Sequence, residues 1–279
     1  MTLAYDRVGS GPPLVLLHGV GHRRQAWNAV AGLLRNRREL IMVDLPGHGE
    51  SPPFRPAGRE PVQAMAEDLI AFFDELGLDR PHVAGNSLGG ALALIAGSQG
   101  RAATVTGLSP AGFWANRRQF SYARAIFKIM EVVGAGLQRS APRLARYRAG
   151  RAFMFASVVS RPSRLGPERA AGDAQAFMTA REAVNAIVDT PLWFTAAIPE
   201  QIPVTIAWGT KDRLLLPSQA KVAQRQLPHA RHLPLPGCGH VPMTDDPAQV
   251  AQVLLEGSTL PATAEPAAEP ASADQPAQR

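Results

Sequence analysis

Gly85-Asn86-Ser87-Leu88-Gly89-Gly90 stands between a short apolar run at 82–85 and a long apolar stretch at 88–97, the positions of a buried strand and a helix. A strand that turns sharply into a helix forces the residue at the bend into a strained conformation. Only small neighbours, here Gly85 and Gly89, leave room for the two backbones to pass. A serine at that bend presents its hydroxyl above the sheet. The helix that starts there aims backbone N–H groups and the positive end of its dipole at the same spot, favouring negative charge on a substrate oxygen. Gly-x-Ser-x-Gly is a weak signal alone, because serine is also a good helix N-cap. The strand before it and the helix after it strengthen the functional reading.

Outward from the bend, short apolar runs alternate with helix-like stretches: 14–17, then 26–34, 40–43, 62–76 and, after the bend, 104–108. Buried strands without polar alternation, separated by helices, indicate a parallel sheet covered on both faces. After Ser109 the rhythm stops, and 113–198 reads as several helices with arginine-rich faces and no strand. It resumes with a strand at 204–208, a helix at 218–227, a short strand at 232–235 and a last helix at 247–255. The expected organisation is a core of 1–112 and 199–256 with a helical cap, 113–198, inserted in it. Residues 257–279 are proline, alanine and acidic residues with little to bury, and are expected to form a disordered tail.

A serine hydroxyl needs a base within hydrogen-bond reach, itself held by an acid. Asp212 opens the loop after the strand ending in Trp208-Gly209, which places its carboxylate at the same sheet edge as Ser87. His240, in Gly237-Cys238-Gly239-His240, follows the next strand on a glycine-rich loop able to reach inward. The order Ser, Asp, His suits a nucleophile on such a sheet.

These motifs together resemble the α/β-hydrolase family over almost the whole chain, to about residue 255. Residues 14–19 resemble the strand and His-Gly turn before the oxyanion loop, and Asp44-Leu45-Pro46-Gly47-His48-Gly49-Glu50-Ser51 resembles the loop after the next strand. Trp208-Gly209-Thr210-Lys211-Asp212 and residues 237–242 resemble the acid and histidine loops. The resemblance implies an α/β fold with a mostly parallel central sheet, helices on both faces and an inserted helical cap. It implies Ser87 as nucleophile, His240 as base, Asp212 as acid, and an oxyanion hole from the backbone N–H groups of Val20 and Leu88. Serine at the bend speaks against dehalogenase or epoxide hydrolase chemistry, for which the resemblance would call for aspartate. The expected substrate is a small carboxylic ester with an apolar portion under the cap. Phe113, Trp114, Trp193 and Phe194, at the two ends of the insertion, are expected either to wall the pocket or to pack the cap onto the core. Carbon–carbon, thioester and lactone hydrolysis and perhydrolysis use similar triads and stay open, as does a non-catalytic small-ligand-binding protein on this scaffold.

Other polar residues receive blander readings. Asp245 and Asp246 look like helix caps. His18 and His48 belong to turn motifs, while His82, His229 and His232 read as surface or strand-edge residues. His22 follows the oxyanion turn and is left unsettled. Cys238 reads as a small buried filler. As the only cysteine, it precludes an intrachain disulfide and any cysteine cluster for zinc or iron–sulfur. Gly19-Val20-Gly21 faintly suggests a dinucleotide loop, but Arg24 stands where the third glycine is needed. No cofactor and no metal is expected.

With 279 residues, 46% hydrophobic and 19% charged, the chain has the profile of a globular protein with one large core. No charged head followed by an apolar run and a cleavage site opens it, and a cytoplasmic protein is expected. The formal charge of +6 is unevenly spread: residues 113–169 carry twelve basic and two acidic side chains, leaving the remainder net acidic. Those arginines fit a solvated surface, an anionic substrate, or an anionic membrane met by a helix over 121–133 whose Ile126, Phe127, Ile129, Met130 and Val133 form an apolar side. No motif supports specific nucleic-acid recognition. Oligomeric state is left open.

Overall fold

The computed structural model describes residues 2–260. Its chain begins with β1 (Tyr5–Gly9), β2 (Pro13–Leu17), a 3-10 turn at Arg24–Trp27, α1 (Asn28–Leu34), β3 (Glu39–Val43), α2 (Pro61–Glu75), β4 (His82–Asn86), α3 (Leu88–Ser98) and β5 (Thr104–Leu108). Five helices follow with no strand among them: α4 (Arg117–Leu137), α5 (Ala141–Ala145), α6 (Arg148–Phe155), α7 (Pro167–Thr179) and α8 (Arg181–Val188), with a 3-10 turn at Pro162–Arg164. The chain then forms β6 (Val204–Gly209), α9 (Ser218–Gln226), β7 (Arg231–Leu235), α10 (Pro242–Asp245) and α11 (Pro247–Gly257).

The seven strands form one sheet in the order β1-β3-β2-β4-β5-β6-β7, and every neighbouring pair is parallel except β1 with β3. The strand interiors are apolar on both sides because both faces are covered. Val15 and Leu17 of β2, with Ile41 and Val43 of β3, pack under Met65, Leu69, Phe72 and Leu92 of α2 and α3. The intervening Leu14, Leu16, Leu40 and Met42 face Trp27, Val30 and Leu34, together with Val250 and Leu254 of α11. The α/β fold expected from the sequence is the one observed.

Parallel pairing puts the carboxyl ends of β2, β3 and β4 level: Leu17 pairs with both Val43 and Gly85. The pairs Asn86–Leu108 and Leu108–Ala207 continue that edge across β5 and β6. The loops after these strands therefore gather at one rim, and the five-helix insertion leaves the sheet there, after β5. Its two ends are held together on the core. Phe113 lies 5.6 Å from Phe194 and 6.5 Å from Trp208, ring centre to ring centre. The Trp114 indole N–H donates to the Leu192 carbonyl at 2.7 Å, and the Phe194 N–H to that of Gly112 at 3.1 Å.

Three sequence readings need correction. β1 went unread because its residues are half-exposed at a sheet edge, with Arg7 paired to Glu39 of β3 at 2.9 Å. His82 is a buried residue of β4, a central strand, and bonds Thr104 Oγ1 at 2.9 Å rather than meeting solvent. The core does not stop at 256: α11 runs through Gly257, and Ser258 is buried. The rest of the expected tail, 261–279, lies outside the described residues.

Arg38 explains why the chain stays attached past α11. Its guanidinium donates to Ser258 Oγ and to the Ser258 carbonyl, both at 2.9 Å, and to Thr259 Oγ1 at 3.2 Å. Replacing Arg38 with Met keeps the aliphatic stem and strips these acceptors of their donor. Urea denaturation of Arg38→Met is expected to show a loss of about 2 kcal/mol. A midpoint unchanged from the native protein would mean that the clasp contributes nothing.

Candidate active site

The bend between β4 and α3 is as tight as its glycines imply. Ser87 has φ 55° and ψ −115°, a strained conformation for a residue with a side chain. A Cβ on Gly85 would overlap the backbone of Gly89, and one on Gly89 would overlap the carbonyls of Leu17 and His18. The helix can start this close to β4 and β2 only because neither residue has a side chain. Asn86, between them, donates through Nδ2 to the Leu108 carbonyl at 3.0 Å and to the His240 carbonyl at 2.8 Å. It thus ties the loop of His240 to the bend that carries Ser87.

Asp212 and His240 are both buried, and Asp212 Oδ2 lies 2.8 Å from His240 Nδ1. An ionised carboxylate can only accept, so Nδ1 carries the proton and Nε2 keeps its lone pair. The other carboxylate oxygen, Oδ1, accepts the N–H groups of Leu214 and Leu215 at 2.9 Å each, fixing the carboxylate's orientation. Ser87 and His240 line one cavity but are not hydrogen-bonded to each other, an arrangement common in catalytic pairs before substrate tightens the contact.

The loop after β2 is braced by neutral histidines. His18 accepts the Leu45 N–H on Nε2 at 3.0 Å and meets the Gly19 carbonyl through Nδ1 at 2.8 Å. His48 accepts the Gly21 N–H on Nε2 at 3.0 Å and meets the Pro46 carbonyl through Nδ1 at 3.0 Å. Burial pushes His18 well below the ordinary histidine range and His48 down to about 4, and it lowers His22 as well. Asp44 accepts the Arg24 N–H and the Glu50 N–H, and its carboxylate is paired with the Arg24 guanidinium. Arg24, which stands where a dinucleotide loop would need glycine, is a buried anchor of this loop. The backbone N–H groups of Val20 and Leu88 have no acceptor among the described residues. Gly19, the residue before Val20, packs against Ser87 so closely that a Cβ there would lie 3.3 Å from the serine Cβ.

Above these residues lies a cavity of about 610 Å³. Its floor includes Ser87, His240 and Val20. Its walls are mainly apolar side chains of the insertion, among them Phe127 and Met130 of α4, Phe155 of α6 and Phe177 of α7. His22 and Asp173 add a polar patch, with His22 Nε2 3.9 Å from Asp173 Oδ2. The four aromatics at the ends of the insertion do not line this cavity. Phe113 and Phe194 are committed to the cluster with Trp208, and Trp193 is exposed. Trp114 borders a separate cavity of about 60 Å³ that also touches Ser87. The position of Phe113, Trp114 and Phe194 where the insertion joins the core explains the difference: they anchor it.

Of the two expected caps, Asp246 caps α11 by accepting the Gln249 N–H at 2.9 Å. Asp245 instead accepts the N–H groups of Ser160 at 3.0 Å, Arg161 at 2.9 Å and Gly239 at 2.8 Å. It staples the insertion to the loop of His240, a role no local pattern signals. Burial, with Asp245 nearby, pushes the Cys238 thiol up to about 12, so it stays protonated and is no nucleophile.

The depressed histidines have a consequence for stability. His48 sits at about 4 when folded against 6.5 for the free side chain, so the unfolded chain takes up the proton first. The stability His48 contributes is complete above pH 6.5 and is lost as pH falls towards 4, roughly 3 kcal/mol in all. Urea midpoints of the native protein are expected to drop through that window, and those of His48→Gln to drop less steeply. Equal slopes would show that His48 is not the group responsible.

Comparison with known proteins agrees with this fold. An uncharacterized protein of Mycobacterium tuberculosis is 28% identical over 262 residues, covering 90% of this chain and 76% of its own length. Lipase 1 of Psychrobacter immobilis is 28% identical over 245 residues, 85% of this chain and 73% of its own length. A solved membrane phospholipase A, described as a bacterial virulence factor, superposes with a TM-score of 0.71 at 22% identity over 92% of this chain and 85% of that one. A thermophilic esterase from Thermogutta terrifontis gives 0.68 at 23% identity over 91% and 92%. Residues 14–253, from β2 into α11, match the Alpha/beta hydrolase family, and the chain belongs to it.

Proposed function

We propose that this protein is a serine hydrolase that cleaves a carboxylic ester through an acyl-enzyme, with an apolar part of the substrate held in the cavity beneath the helical insertion acting as a cap. The observation that carries the reading is the buried Asp212–His240 hydrogen bond of 2.8 Å, opening on the same cavity as a strained Ser87. Relatives named as lipase and as pimeloyl-[acyl-carrier protein] methyl ester esterase support ester chemistry, the latter over a third of the chain.

Ser87 Oγ attacks the ester carbonyl as its proton passes to His240 Nε2. Asp212, by accepting from Nδ1, holds the imidazole in the tautomer that can take that proton and stabilises the imidazolium that results. Charge gathers on the former carbonyl oxygen, where the N–H groups of Val20 and Leu88 receive it. Each such donor typically lowers the barrier by about 3 kcal/mol. Collapse expels the alcohol with a proton from His240. Water, deprotonated by the same imidazole, then attacks the acyl-enzyme and frees the acid and Ser87. The mainly apolar cavity favours a hydrocarbon chain over a charged group, since burying an unpaired charge there costs far more than the chain gains.

A fluorophosphonate probe is expected to label the native protein at Ser87 and to leave Ser87→Ala unlabelled. Hydrolysis of p-nitrophenyl esters of graded acyl length is expected to fall by about 10⁴-fold in Asp212→Asn, whose amide disfavours the required tautomer. An inert native protein would point to a binding function. Preference for thioesters, lactones or carbon–carbon substrates in the same panel would replace the ester.

A further inference from the structure

The insertion carries two kinds of cation. Some are paired with acids of the insertion itself: Arg124 with Asp189 at 2.9 Å, Lys128 with Asp189 at 3.1 Å, and Arg169 with Asp173 at 3.5 Å. Arg139, Arg143, Arg146 and Arg148, at the end of α4 and on or beside α5 and α6, are exposed, and no acid pairs with them among the described residues. None is near in sequence either, because 132–167 holds no aspartate or glutamate. Within the described residues these four are left open to an anionic partner.

The same helices expose large apolar side chains. Ile129 and Val132 of α4 are 62% and 73% exposed, Phe153 of α6 is 67%, and Tyr147, just before α6, is 60%. Ile129 and Val132 are three residues apart and so share a helix face. Ile129 and Phe153 also line the large cavity, so this patch is its mouth. Gln138, Ala141 and Pro142 line the cavity too, and Arg139 and Arg143 are their immediate neighbours in the chain. An apolar rim, unpaired positive charge beside it, and a mainly apolar chamber behind it complement a surface that is anionic outside and hydrocarbon within. None of the described helices is long and apolar enough to cross a membrane, so contact through this face is peripheral.

We propose that the α4–α6 face docks on an anionic lipid surface, with Arg139, Arg143, Arg146 and Arg148 at the headgroups and Ile129, Val132, Tyr147 and Phe153 at the acyl boundary. An apolar molecule then passes from the lipid into the cavity without crossing water. Docking needs no chemistry at Ser87, so it stands or falls separately from the reading as a hydrolase.

Co-sedimentation with vesicles tests it, using equal parts phosphatidylglycerol and phosphatidylcholine against phosphatidylcholine alone. The native protein and Ser87→Ala are expected to bind the anionic vesicles alike at low ionic strength, to weaken as salt rises, and to leave the neutral vesicles unbound. Changing the four arginines together to Gln is expected to cut partition by ~100-fold or more while the melting temperature holds. Val132→Ser with Tyr147→Ser, neither of which lines the cavity, is expected to weaken binding at fixed charge. The proposal is overturned if the native protein ignores anionic vesicles, if the arginine variant binds as well as native, or if the Val132 and Tyr147 changes have no effect. Self-association in sedimentation velocity that is abolished by those changes, without vesicle binding, would assign the face to a second copy of the chain instead.

Discussion

The site depends on one steric constraint, set where α3 leaves β4 and passes over the end of β2. Gly89 lies against the carbonyls of Leu17 and His18, and Gly85 against Gly89 itself. Because the helix starts so near the sheet, Ser87 is held at positive φ and the loop from His18 to His22 is forced alongside it. The same close passage brings Gly19, the residue before Val20, against Ser87, and the N–H groups of Val20 and Leu88 have no acceptor among the described residues. The bend itself follows from backbone passing backbone where no Cβ fits, and side chains then brace the loops around it.

Around that point, charge is used sparingly. His18 comes within 3.9 Å of Asp44, yet its Nε2 already accepts the Leu45 N–H, so it has no proton there to share. His48 is committed in the same way to Gly21 and Pro46. Both are rigid, neutral braces. The carboxylate of Asp44 is answered by Arg24 and two backbone N–H groups rather than by an imidazole. His240 differs in that its Nδ1 is hydrogen-bonded to a carboxylate, which frees Nε2 to face the cavity as an acceptor. These three buried histidines of similar sequence appearance are thus sorted by what each ring nitrogen already bonds.

This sorting marks the limit of what the sequence discloses. The bend, the strands other than β1 and the helices covering them are local patterns, each legible because a short stretch dictates it. The cavity was not. Its walls come from α4, α6 and α7, and α4 is apolar on more than one side: Phe127 and Met130 face the cavity while Val132 faces solvent. Periodicity identifies such a helix but not which side meets which neighbour. Which of their two expected roles the flanking aromatics take was likewise not legible: Phe113 and Phe194 fasten the insertion, because its ends are where large rings can hold it to the core. Asp245 and Asp246 stand side by side before a helix with the same capping signature; only the path of residues 158–161 decides that one caps and the other staples.

That staple joins two parts that the topology keeps separate. Ser160 bonds the Gly237 carbonyl at 2.7 Å, Val241 donates to the Val158 carbonyl at 2.9 Å, and Asp245 bridges Ser160 to Gly239. The loop carrying His240 is therefore backed by the insertion as well as by Asn86 from the sheet. Residues 153–159 also line the cavity. The segment that shapes the space for substrate is thus the one against which the imidazole rests, and a shift in either moves both. Where an insertion moves as an independent lid, cavity and core loops vary separately; here hydrogen bonds couple them, so reshaping the cavity through 153–161 bears on the position of His240 as well.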